Sequence, residues 1–474
     1  MTHSEVARVS ETVQRPQGDD LARPVFRVPD APLKDRLPDV RPRYALSALR
    51  RHLEMSPVVM LQGPRGAGKT TLAQQVAKSK IDFSNRTDVE LFEINPKNLL
   101  ENAAKPVLVD EWQINPSSLW HIKHLVDEGL GGFIVAGSAG HYEPDSAHSR
   151  FPLVGRCSIL RVPVLSWAEQ NALLPQPLAE GLLAGDMSWA QPQELDHTDY
   201  LAIAMSTGYP AYVGTKRSDA ASAMQNMGQQ VLQFYMVKSE AIAERGESRR
   251  AQQDFLRAQA RMSGRIVSLS TLTREAGIAE RTAAKYRAMF SDCFICDDID
   301  VWRPSPDATP SRFRKVFIND PGLQIALSGL SEEEFLSTPS LIGGLMETFV
   351  LTQLRAQQSA TADRYDIMCY NEVRTKQGVR SAYPLGEIDF VLLDRASSRL
   401  AAIEVKSGAS PGKDSFERMR KLRDAMDSRT ATTTNFPPKR FAGGIVLHCG
   451  RGPALQADDR LWVAPMSTLW AECG

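Results

Sequence analysis

The chain lacks an excess of charge of either sign: its 474 residues carry 56 lysines and arginines against 56 aspartates and glutamates. No whole-molecule field draws it to nucleic acid or to an acidic surface, so any such contact must come from local clustering. Cysteine is scarce, six in all. Scattered over this length they make no disulfide framework, and Cys293 to Cys296 is a single C-x-x-C without the second pair that a structural zinc site needs. No run of about 18 apolar residues occurs. The opening stretch MTHSEVARVSETVQRPQGDD has neither the basic start nor the apolar core of a signal peptide. The expectation from these absences is a cytoplasmic protein, too long for one hydrophobic core and divided into roughly three domains.

What is present begins with a Pro-, Asp-, Arg- and Ser-rich arm of little periodicity. From Tyr44 a helical pattern runs into the apolar PVVMLQ, then GPRGAGKTTLAQQVAKS, which reads as strand, glycine-rich turn and helix. KPVLVDE and GGFIVAGS follow as buried strands on either side of a helix. Strands alternating with helices predict an α/β fold with a parallel sheet covered on both faces.

GPRGAGKT, Gly63 to Thr70, fits the P-loop pattern G-x-x-x-x-G-K-[ST] in the strand–turn–helix setting that the motif requires. Its chemistry needs backbone N–H groups turned inward on phosphate oxygens, which glycines permit, and the dipole of the following helix. This assigns Gly63, Pro64, Arg65, Gly66, Ala67, Gly68, Lys69, Thr70 and Thr71 to nucleotide binding. Lys69 is expected on the β- and γ-phosphates and Thr70 on Mg2+. After the apolar VLV come Asp110, an acid placed to hold the Mg2+ shell, and Glu111, placed to orient the attacking water. Ser138, at the end of the next strand, reads equally as a γ-phosphate contact or a turn serine. Arg156 in LVGR reads as a charge-stabilising arginine, acting within the chain or across a subunit interface, or as a solvated one. His121 and His124, one turn apart, have no further ligand in view and read as a solvated helix face.

Farther on, LTREAGIAERTAAKYRAMF has the form of a helix-turn-helix with Gly277 at the turn. Arg281, Lys285 and Arg287 fall on its second helix, where contacts to DNA are expected; packing between domains is the other reading.

In the last quarter, EIDFVLL and LAAIEVKS read as a hairpin joined by DRASS. Glu404 and Lys406, two apart, leave one face of their strand while Ile403 and Val405 point into the core. A solvated ion pair would explain those two alone. Asp389 on the partner strand and Glu347 on the preceding helix favour a site in which Asp389 and Glu404 bind Mg2+ and Lys406 positions or deprotonates a water.

Taken in order, GPRGAGKTT, VLVDEWQ, VAGS, LVGR, FINDPGL, GGLMETFV, EIDFVLL and IEVKSG resemble the large bacterial and archaeal family of AAA+-like ATPases with a C-terminal restriction-endonuclease-like domain. The resemblance runs from about Arg43 to Trp470. It implies a P-loop AAA+-like parallel-sheet core, a helical lid, a winged helix and an endonuclease-like α/β domain of the PD-(D/E)xK class. It places ATP on Lys69 and Thr70, the Walker B role on Asp110 and Glu111, and a nuclease-like site on Glu347, Asp389, Glu404 and Lys406. Ser138 stands where many members have Asn. The division expected is an arm over 1–42, the ATPase core over 43–170, the lid over 171–247, the winged helix over 248–320 and the endonuclease-like domain over 321–474. The cofactors implied are ATP and Mg2+. The partner is nucleic acid, DNA before RNA, and a homo-oligomer is left open.

Overall fold

The computed structural model describes residues 40–137, 151–188, 190–214, 222, 224–230, 249–303, 311–361, 364–371, 374–375, 378–379, 386–411, 413–428 and 440–473. The expected arm, except 40–42, lies outside them. Five short apolar runs form the first sheet: β1 (Val58–Gln62), β2 (Ser79–Asp82), β3 (Val107–Asp110), β4 (Phe133–Ala136) and β5 (Cys157–Arg161). They are all parallel, in the order β2-β3-β4-β1-β5. Strand alternation sends successive side chains to opposite faces. Val59, Leu61, Leu108 and Ile134 pack with α1 (Ala45–Met55) and α2 (Lys69–Gln74). Val58, Met60, Val109 and Val135 pack with α3 (Arg86–Ile94), α4 (Pro96–Asn102) and α5 (Ser118–Asp127). Local chemistry starts these helices where the sequence requires. Asn85 caps α3 by accepting from Thr87 N, and Asn95 caps α4 just before Pro96, which needs no N–H at that position.

Of the expected lid over 171–247, residues 189, 215–221, 223 and 231–247 lie outside the described residues. α6 (Trp167–Gln170), opened by a Ser166–Glu169 capping box, leads to α7 (Leu178–Ala184), the short β6 (Ala190–Gln191) and α8 (His197–Ala204). Leu178, Leu182, Tyr200 and Ala204 are buried in one cluster with Phe349, Ile445 and Trp470 of the C-terminal region. The apolar stripe of α7 has an open sheet face to cover, and burying it there outweighs leaving it on a lid.

A middle unit then runs α9 (Arg249–Arg261), β7 (Ile266–Ser268), α10 (Leu269–Ala276), α11 (Glu280–Asp292), β8 (Ile299–Asp300) and β9 (Phe313–Lys315), with an antiparallel sheet of order β7-β9-β8. α10 ends on Gly277 in the left-handed conformation, the turn residue the sequence marked. α12 (Pro321–Ser328), followed by α13 (Glu332–Leu336), belongs to this unit too, since Leu323 and Leu327 share a core with Phe255, Leu256 and Phe290. The last domain therefore begins about α14 (Pro339–Ala360), later than the expected 321.

That domain holds β10 (Tyr365–Asn371), the small hairpin β11 (Arg374–Thr375) and β12 (Gly378–Val379), β13 (Glu387–Asp394), β14 (Arg399–Lys406), α15 (Lys413–Asp427), β15 (Arg440–His448), β16 (Leu455–Asp458) and β17 (Leu461–Pro465). Its mixed sheet has the order β10-β13-β14-β15-β17-β16. The predicted hairpin is β13 against β14, antiparallel, while β14-β15 and β15-β17 are parallel. Phe390, Ala401, Ile403 and Val405 face α14 and α7; Ile388, Leu400 and Ala402 face Met419 and Leu422 of α15. A final β18 (Glu472–Cys473) pairs with β6. Among the described residues no helix is long and apolar enough to cross a membrane.

Candidate functional site: a P-loop and a separate acidic centre

β1 delivers the chain to Gly63, where a Cβ would lie 2.1 Å from Val162 O, so only glycine lets the loop pass β5 this closely. Gly68 turns left-handed (φ 88°) immediately before α2. Lys69 is buried, and its Nζ donates to the carbonyls of Gly63 (2.9 Å) and Pro64 (2.8 Å). Burial pushes its pKa down to about 8, against the pull of Glu111 and Asp110. Thr70 Oγ1 donates to Asp110 Oδ1 at 3.1 Å, bringing together the two side chains predicted to hold Mg2+. They fit that ion: a hydroxyl and a carboxylate converge beside the loop, as a hard cation requires. Glu111 takes the left-handed region (φ 51°), a conformation uncommon outside glycine and seen at functional turns, and its carboxylate accepts from Gln113. Ser138 lies outside the described residues.

Several residues that the motif did not reveal complete this site. Buried Arg43 donates to Ala67 O (2.8 Å) and Pro163 O (2.6 Å) and pairs with Glu169 (3.2 Å), tying the loop to α6. Lys80 on β2 bridges Asp82 (2.7 Å) and Asp110 (3.0 Å). The turn Thr207–Gly214 lies over the loop: a Cβ on Gly66 would lie 3.7 Å from Tyr209 Cδ1 and one on Gly68 3.6 Å from Pro210 Cγ.

Arg156 is not part of this group. It precedes Cys157, which pairs with Val58 at the start of β1, whereas the P-loop follows Gln62 at the other end. At 3.3 Å per residue the two ends are ~16 Å apart. Its guanidinium is on Asp127 at 2.5 Å, so the within-chain reading is corrected: the arginine is at the wrong edge of the sheet. Arg161, at the P-loop end of β5, is engaged differently. It meets Asp297 of the middle unit at 3.0 Å, and Asp297 also takes Arg355 of α14 at 2.9 Å. Burial alone would raise the Asp297 carboxyl, but the two guanidinium groups overcome it and hold it at about 2.

In the C-terminal domain the predicted acids divide into two groups. Glu404 and Lys406 share a face of β14 as expected and pair at 2.7 Å, with Arg418 of α15 also on Glu404 Oε1 at 3.0 Å. On the other side the centre is an unpredicted residue, Lys315 at the end of β9. Its ammonium is fully buried, 2.6 Å from Glu347, 2.8 Å from Asp389 and 3.1 Å from Glu387. These carboxylates outweigh its desolvation and raise its pKa well above the usual value. One ammonium cannot neutralise three carboxylates; burial, opposed by Lys315, pushes Glu347 up to about 8. Burial, with Asp389 adding to it, pushes Glu404 up to about 7.

The expected Mg2+ on Asp389 and Glu404 does not fit this arrangement. Asp389 Oδ1 takes Lys315 and Oδ2 accepts from Val405 N at 2.8 Å. Glu404 Oε2 alone of the pair's oxygens is without a hydrogen-bond partner. Both Asp389 oxygens are engaged, by an ammonium and an amide. Among the described residues no group of three or more His, Cys, Asp or Glu side chains is placed to hold a metal. Both missed residues left a trace in the sequence: Lys315 falls two before Phe317, a lysine on an otherwise apolar strand face, and Glu387 falls two before Asp389.

On the helix-turn-helix, Arg281 and Lys285 are exposed. Arg287 is turned inward onto buried Asp298 at 2.6 Å, which removes it from the predicted nucleic-acid face.

The chain matches three known families in succession. Residues 55–171 match a AAA domain, 197–334 a domain of unknown function (DUF8612) and 342–469 another domain of unknown function (DUF4143). The chain carries a P-loop ATPase domain of AAA type. Uncharacterised proteins of Mycobacterium bovis and Mycobacterium tuberculosis are each 27% identical over 342 residues, 68% of this chain and 70% of the relative. A Walker-type ATPase of Pyrococcus abyssi superposes with a TM-score of 0.37 at 17% identity, covering 62% of this chain and 99% of that one. PCH-2 of C. elegans gives 0.18 at 17% identity, over 27% and 42% of the two chains.

Proposed function

We propose that this protein binds and hydrolyses ATP and uses nucleotide state to control DNA handling by its middle and C-terminal units. The observation that carries the ATPase reading is the convergence of Lys69, Thr70, Asp110 and Glu111 at one edge of the parallel sheet. On binding, Lys69 exchanges two loop carbonyls for phosphate oxygens, which favour its charged form. Thr70 and Asp110 would hold Mg2+, whose chemistry here is to offset phosphate charge. Glu111, fixed by Gln113, orients the attacking water. Arg43 keeps the loop backbone in its phosphate-ready course. Arg156 is read as supplied to a neighbouring copy's nucleotide, since its own is at the far edge. The test is ATP turnover: Glu111→Gln should abolish it while ATP still binds, and full turnover in that variant overturns the assignment.

The helix–strand–helix–helix–strand–strand order of the middle unit supports the winged-helix reading, and exposed Arg281 and Lys285 support contact with DNA phosphates. Glu347, Asp389, Glu404 and Lys406 support an endonuclease-like C-terminal domain. Whether it cuts separates two forms of the proposal. Cleavage is favoured by the retained carboxylates and lysine; a regulator that holds DNA or a protein without cutting is favoured by Lys315 among those acids. Assays on single-stranded, duplex and branched DNA and RNA, with and without ATP and Mg2+, distinguish them.

A further inference from the structure

We propose that Lys315 is the resident cation of the C-terminal acidic centre: its ammonium holds the place among Glu347, Glu387 and Asp389 that a divalent ion would take, and excludes that ion while β9 is docked. The inference rests on the endonuclease-like reading only in naming a divalent ion as what is kept out.

The geometry, with Lys315 in place, is that of an ammonium site and not of a metal site. Three carboxylates from two elements, α14 and β13, approach one Nζ within 2.6–3.1 Å, and the lysine has no exposure to solvent. The lysine comes from a different unit than its partners, and its delivery is built into the backbone. Ser263 and Gly264, in the turn between α9 and β7, press against α14 at Gly344, one helical turn before Glu347. A Cβ on Gly344 would lie 2.1 Å from Ser263 O, and one on Gly264 would lie 2.8 Å from Gly344 Cα. Ser263 Oγ also bonds Thr348 Oγ1 at 2.9 Å and accepts from Ile318 N at 3.1 Å, three residues beyond Lys315. β9 and α14 are thereby held to a common turn. Main-chain bonding of Trp302 N to Cys369 O fastens the end of β8 to the edge strand β10 of the large sheet.

A divalent ion and an ammonium cannot share this space: both need the same carboxylate oxygens at their first-neighbour distance, and two adjacent cations repel. The acidic centre is therefore closed to metal by an internal ligand rather than by loss of its acids. Opening it requires the middle unit to withdraw Lys315, leaving Glu347, Glu387 and Asp389 without their cation unless a metal replaces it.

Mn2+ binding to the full-length, nucleotide-free protein tests this, read by the electron paramagnetic resonance of free Mn2+. The P-loop is common to every arm, so only binding that disappears with Asp389→Asn is scored. Wild type and Asp389→Asn should bind the same amount. Lys315→Met should gain one Mn2+ per chain, and Lys315→Met combined with Asp389→Asn should lose it again. Mn2+ binding in wild type that vanishes in Asp389→Asn overturns the proposal, as does a folded Lys315→Met that gains nothing. Should Lys315→Met fail to fold, Lys315→Gln, which removes the charge but keeps a polar side chain, is scored by the same rule, and a folded Lys315→Gln that gains no Mn2+ overturns the proposal. Loss of ATP turnover in Glu111→Gln is read independently, so failure of the ATPase reading leaves this result untouched.

Discussion

Two buried lysines, Lys69 and Lys315, are set in opposite surroundings, and the contrast shows that burial alone does not decide what a lysine can bind. Lys69 faces two neutral carbonyls, and its pKa is pushed down to about 8. Lys315 faces three carboxylates, and its pKa is pushed up. A lysine held by neutral groups lacks a counter-charge and gains one when phosphate arrives; a lysine already among carboxylates has nothing to gain from an anion and excludes a cation. Burial is common to both. What differs is the charge of the first neighbours.

The comparison breaks most visibly in stability. Lys315→Met removes a buried ammonium from Glu347, Asp389 and the half-exposed Glu387 and should cost about 3–5 kcal/mol, measured by urea denaturation, whereas Lys69→Met should be close to neutral. The order reverses for catalysis. Lys69→Met should lower ATP turnover by about 10²–10³-fold, the usual scale for losing one charge-stabilising donor, while Lys315→Met leaves hydrolysis near wild type if it folds. Smaller effects follow with pH. Glu347 has a folded pKa raised to about 8, so its proton binds the native state more tightly. The stability it contributes is complete below its unfolded pKa of about 4.5 and is lost as pH rises through 8. Melting temperature should therefore fall between pH 5 and 9, and Glu347→Gln should flatten the fall. Smallest is the effect on nucleotide affinity: above pH 8, ATP must restore the proton to Lys69, so binding should weaken as pH increases while Lys69→Met shows no such slope.

The nucleotide site was legible because its residues are consecutive: Gly63 to Thr70 carry their own loop geometry, and Asp110 and Glu111 end a strand whose burial is written in VLV. The C-terminal hairpin was legible for the same reason, with Glu404 and Lys406 on one face as strand alternation requires. What escaped depends on pairings between distant parts of the chain. Lys315 is 74 residues from Asp389, and no local pattern indicates which carboxylates it will meet. The helices after Gln170 have apolar stripes suited equally to a lid and to a sheet face; only the open face of β13–β15 decides. Arg156 was readable as a charged residue near a strand, but the end of the sheet it occupies follows from strand pairing. Arg287 reads as a groove contact until Asp298 is seen behind it.

Asp297 joins these regions in a way that bears on movement. Its carboxylate is shared by Arg161 at the nucleotide edge of the first sheet and by Arg355 on α14, the helix that also carries Glu347. Turning the sheet away from the middle unit would part Arg161 from Asp297 while Arg355 stays with it. Such a joint resists small displacements and yields to large ones, as a detent does.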